Sequence, residues 1–62
     1  MTIKITTKDP ITDVDIIYPE NSRHQNQTVT TGEDCMVEVE VFEGAEIGTA
    51  DKVVLVTVVE ID

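Results

Sequence analysis

The chain has 62 residues, 13 Asp and Glu against 4 Lys and Arg, and a formal net charge of −9. That length holds one domain at most, and folding buries only roughly 60 % of its unfolded surface, so a deep catalytic cleft is hard to build. A single Cys excludes an internal disulfide framework, and the acidic balance argues against a basic patch for nucleic acid or anionic membrane.

Val, Ile and Thr dominate, while Leu occurs once and Ala twice. β-branched side chains suit a pleated surface and lose rotamer freedom in a helix. Residues 1–62 therefore read as a single all-β domain of four to five antiparallel strands, barrel-like or a minimal sandwich, completed by oligomerisation. No apolar run is long enough to span a membrane. The first residues lack the apolar stretch of a signal peptide, which makes a cytoplasm, or a particle assembled in one, the expected compartment.

In chain order, residues 2–7 alternate, with Ile3, Ile5 and Thr7 on one face and Lys4 and Thr6 on the other. Lys8-Asp9-Pro10 signals a turn. Alternation resumes over residues 11–18, where Val14, Ile16 and Tyr18 share a face opposite Ile11, Asp13, Asp15 and Ile17. Residues 19–27 are polar and aperiodic, a loop long enough for this domain to suggest function or mobility. A short strand is expected near residues 28–31, ended by Gly32. Residues 35–42 alternate most cleanly: Cys35, Val37, Val39 and Val41 against Met36, Glu38, Glu40 and Phe42. Gly44 to Asp51 reads as a second loop, with one helical turn around residues 45–47. Residues 53–61 close the chain as a long strand.

That last strand is apolar on both faces, with Val53, Leu55, Thr57, Val59 and Ile61 in one row and Val54, Val56 and Val58 in the other. So small a domain can cover only one face. Burying a Val is worth roughly 1.5–3 kcal/mol, so the uncovered row points to a subunit interface. Val54, Val56 and Val58 are the expected self-association residues. The alternative is a strand crossing the middle of a closed barrel, its exposed row patched by the 19–27 loop. Lys52, Glu60 and Asp62 bracket the segment as charges that discourage aggregation.

Charge is uneven. Residues 1–31 hold four acids and three bases, whereas residues 32–62 hold nine acids and only Lys52. Glu38 and Glu40 point the same way about 6.6–6.8 Å apart. With Glu33, Asp34, Glu43 and Glu46 they are expected to form an acidic partner-binding face that mimics a nucleic-acid backbone and occupies a basic protein cleft. In size and charge the chain is similar to small acidic inhibitor proteins of phages. The plainer reading of these acids is a solvated strand face.

Other chemistry is sparse. Asp13 and Asp15 lie on a strand without the wrapping loop that calcium needs. Cys35 and His24 are each the sole residue of their type, and the Val-rich row predicts a buried, inert thiol. Gly44 and Gly48 lack the Lys of a phosphate loop, and Asn26-Gln27-Thr28 is a chance glycosylation match. No catalytic, cofactor-binding or metal residue is expected. The function expected is that of a non-enzymatic structural or interaction subunit of a larger assembly, such as a phage or virus particle. Copies of itself are the expected partners and a basic protein the alternative, with neither direct nucleic acid nor membrane.

Overall fold

The computed structural model describes residues 1–50 and 55–61, and among these the fold is all-β with no helix. Six strands form: β1 (Thr2–Thr7), β2 (Asp13–Ile17), β3 (Gln27–Thr30), β4 (Met36–Glu40), β5 (Glu46–Gly48) and β6 (Val56–Glu60). All pairings are antiparallel and make two three-stranded sheets, ordered β4-β1-β6 and β3-β2-β5. No helix of the described residues is long and apolar enough to cross a membrane.

Alternation decides which residues meet. In β1, Ile3, Ile5 and Thr7 are buried; in β2, Val14 and Ile16 are buried, and the row continues into Tyr18. The apolar residues of these rows and Val41 form one core shared by both sheets, with Val29, Val37, Val39, Ala45, Ile47 and Val56 packed around it. The Cα atoms extend 33 × 26 × 13 Å, a thickness close to the ~10 Å spacing of stacked sheets. At one side β3 and β4 come into contact across the sheets.

Several expectations are corrected. Among the described residues there are six strands rather than four or five, because residues 46–48 form β5 and not a helical turn. Gly44, at φ 94°, closes a turn in which the Ala45 N–H donates to the Phe42 carbonyl (3.3 Å). Ile47 is thereby set opposite Ile16, and burial of an Ile pair outweighs a single helical turn. The polar loop spans residues 18–26, one position earlier than expected, and β3 likewise begins at Gln27. Of the predicted 53–61 strand, residues 53 and 54 lie outside the described residues.

One end of the fold is tied by threonines. Thr31, 1 % exposed, accepts the Thr12 N–H (2.9 Å) and lies 3.0 Å from the Thr7 hydroxyl, which also bonds the Asp9 carbonyl (2.8 Å). Beside it the Gly32 carbonyl accepts two N–H donors, from Ile11 (3.2 Å) and Cys35 (3.0 Å). Both donors are left-handed, at φ 54° and 65°. A β-branched residue there costs about 1–2 kcal/mol, and Ile11, 63 % exposed, gains little burial in return. Thr31→Val keeps the shape but strands the Thr12 N–H. We expect it to cost about 1–3 kcal/mol in urea unfolding.

Candidate functional site

The strand predicted to seek a partner lies at a sheet edge. β6 pairs with β1 on one side, with Ile3 opposite Glu60, Ile5 opposite Val58 and Thr7 opposite Val56. Among the described residues no strand pairs with its other side. Among the described residues it is thus an edge strand and not one through the middle of a barrel, and the 18–26 loop packs on Phe42 through His24.

Facing residues in an antiparallel pair share a side of the sheet. Val56 and Val58 thus turn inward with Ile3, Ile5 and Thr7; Val56 is half-buried against the core, while Val58 stays 42 % exposed. Val54 lies outside the described residues. The outward row is Thr57 and Val59, continued by Ile61, with Val59 48 % and Ile61 45 % exposed. Leu55, just before the strand, is 70 % exposed. Both faces of β6 therefore carry solvent-exposed apolar residues.

Val58 remains open because the sheets part on its side. A groove of about 280 Å³ runs between β6 and β5, lined by Val58, Glu60, Ile3, Ile47, Ala45 and Phe42 among others.

The other edges are defended differently. β4 carries Glu38 and Glu40 on its outer face; β5 is three residues long and begins with Glu46; β3 presents Gln27, Thr28 and Thr30. Charge, brevity and polarity are the usual ways to keep an edge from recruiting another chain. β6 has no charge from Val56 to Val59.

The six acids do not make one face. Glu38 and Glu40 share the outer side of the β4-β1-β6 sheet, where Lys4 stands opposite Glu38. Glu40 is engaged by the Met1 ammonium (3.0 Å) and the Thr2 hydroxyl (2.7 Å). Glu33 and Asp34 occupy the turn before β4, where Asp34 accepts the Met36 N–H (3.3 Å). Glu43 sits in the turn after β4. Glu46 belongs to the other sheet, opposite Ile17.

Asp13 and Asp15 each accept a cross-strand hydroxyl, from Thr30 (2.7 Å) and Thr28 (2.8 Å). No group of three or more metal-ligating side chains gathers among the described residues.

Cys35 is only half-buried rather than enclosed on the Val-rich row, because its left-handed backbone ends the alternation just before β4. Its thiol lies 3.8 Å from the Lys8 carbonyl. His24 is at the other end of β4, so the two cannot act together.

An aromatic cluster went unforeseen. The His24 ring stacks on Phe42 at 3.9 Å and 5°, with Tyr18 tilted against both. The Tyr18 hydroxyl accepts the Phe42 N–H (3.0 Å), and the Tyr18 N–H donates to the Asn26 side chain (2.7 Å). Sequence alternation placed Tyr18 inward but held no signal for a contact between side chains so far apart in the chain. The cluster pins the polar loop to the body of the protein. His24→Ala should release it at a cost of about 0.5–1.5 kcal/mol, the worth of an aromatic pair, seen as faster tryptic cleavage after Arg23.

Comparison with protein-family models, curated proteins and solved structures finds no match.

Proposed function

We propose that the protein is a non-enzymatic building subunit that self-associates through its C-terminal strand, completing in the assembly a core it cannot close alone. The observation that carries this reading is β6: a sheet edge, free of charge from Val56 to Val59, with apolar residues exposed on both faces. Such an edge in isolation is an aggregation hazard. Burying Val58, Val59, Leu55 and Ile61 between copies removes apolar surface from water at roughly 25 cal/mol per Å².

Charge makes a distinctive test. Each copy carries −9, so copies repel at long range and added salt screens that repulsion. Light scattering across a dilution series should show an oligomer whose dissociation constant falls as sodium chloride is raised. A folded monomer at every concentration and salt would defeat the reading. Binding to a basic protein cleft has the opposite signature, since it weakens with salt.

A further inference from the structure

The backbone of β6 specifies how two copies meet. The Ile61 N–H donates to the Thr2 carbonyl (3.0 Å), which makes Thr2 and Ile61 a hydrogen-bonded pair of the β1–β6 ladder. Such pairs alternate along an antiparallel ladder, so Val59 and Thr57 also turn their backbone groups towards β1. The opposite side of β1 agrees: the Thr7 N–H bonds the Cys35 carbonyl (2.9 Å), and the Met1 carbonyl accepts the Val41 N–H (2.8 Å). Odd-numbered positions of β1 therefore serve β4 and even-numbered ones serve β6. It follows that Val56, Val58 and Glu60 aim their N–H and C=O groups out of the open edge.

We infer that the partner on this edge is a second copy of the chain, docked antiparallel about a two-fold axis at Val58. The inference rests on the self-association reading and adds its geometry. In this register Val58 faces Val58 of the second copy, Thr57 faces Val59, and Val56 faces Glu60. Every outward backbone group of the three residues then finds a partner at once.

A shift of the axis by one residue either way drops one of those pairs. An axis at Glu60 would set two carboxylates opposite each other, which is unfavourable. With the axis at Val58 each Glu60 faces a valine instead. The charge-free centre of β6 is where two chains of −9 can approach with least repulsion. The result is one continuous six-stranded sheet in which Val58 of each copy borders the groove of its own. The contact is isologous, so it closes at two copies and does not propagate as a fibre.

Amide hydrogen exchange on the wild-type chain tests this. At concentrations where light scattering shows the oligomer, the Val56, Val58 and Glu60 amides should exchange on the order of tenfold or more slower than in dilute monomer. The Thr57 and Val59 amides, already held by β1, should change far less. An oligomer that leaves the three outward amides unprotected overturns the geometry and spares self-association; absence of any oligomer overturns both.

Cross-linking tests the register separately. In a Cys35→Ser background, mixed Thr57→Cys and Val59→Cys chains should form disulfide-linked pairs faster than either variant alone. Faster linking of Thr57→Cys to itself would place the axis elsewhere and overturn the register.

Discussion

Replacing Val58 with proline is expected to give a folded monomer, while the same replacement at Val59 is expected to break the sheet. The two positions are adjacent, equally aliphatic and similarly exposed, at 42 % and 48 %. They differ in where their N–H points. At Val58 it faces the open edge, so the monomer loses no internal hydrogen bond, and proline is tolerated on an edge strand with its nitrogen towards solvent. The paired form loses both donors at the two-fold axis and leaves both acceptors empty. That is about 2–3 kcal/mol, or on the order of a hundredfold in Kd. At Val59 the lost donor belongs to the β1 ladder. The stranded Lys4 carbonyl and the misfit of a fixed φ should cost about 1–3 kcal/mol or more. Circular dichroism and light scattering on the two variants separate the outcomes. Loss of fold at Val58, or an unchanged oligomer there, would refute the edge assignment.

Ile16→Ala should leave the chain substantially unfolded in dilute solution at 25 °C. Ile16 is fully buried on β2, the middle strand of its sheet, between Gln27 on β3 and Ile47 on β5. Truncating a buried Ile to Ala costs about 2–5 kcal/mol, and a core of this size supplies on the order of 3–5 kcal/mol in total. The neighbouring Ile17, 45 % exposed, is the control, and its replacement by Ala should stay within about 0.5 kcal/mol. Because the proposed association involves only folded chains, raising the concentration of Ile16→Ala should restore part of its structure. Urea titrations at two concentrations measure both effects.

The inward rows of β1, β2 and β4 were legible because each strand is long enough for a period of two to show. Ile3, Ile5, Val14, Ile16 and Val41 could be assigned to the core from spacing alone. β5 was not, since three residues after a glycine turn carry no period, and Ile47 becomes a strand residue only through Ile16. The apolar excess of the last strand was visible in sequence. Its place at an edge, and the inward aim of Val56 and Val58, depend on pairing with the first strand. The acidic residues show the same limit: a run of carboxylates in sequence is divided in space once Glu46 joins the second sheet and Glu40 is engaged by Thr2. The left-handed backbone of Ile11 and Cys35 runs against local preference and is held by the Gly32 carbonyl, which for Ile11 is a contact between distant segments.

The strand order also sets a folding schedule. β2 and β3 are neighbours in sequence and in space, and their hairpin closes over residues 18–26, far fewer than separate β1 from β6. β1 must instead find β4 and β6, and β6 is the strand furthest from it along the chain. Closing the larger loop costs more entropy and is repaid only when the ladder is complete, so the first sheet should assemble later than the second. Until β6 arrives, β1 itself is an open edge, bearing Ile3 and Ile5. The strand proposed to recruit a second copy in the finished protein is thus the one that shields the first strand during folding.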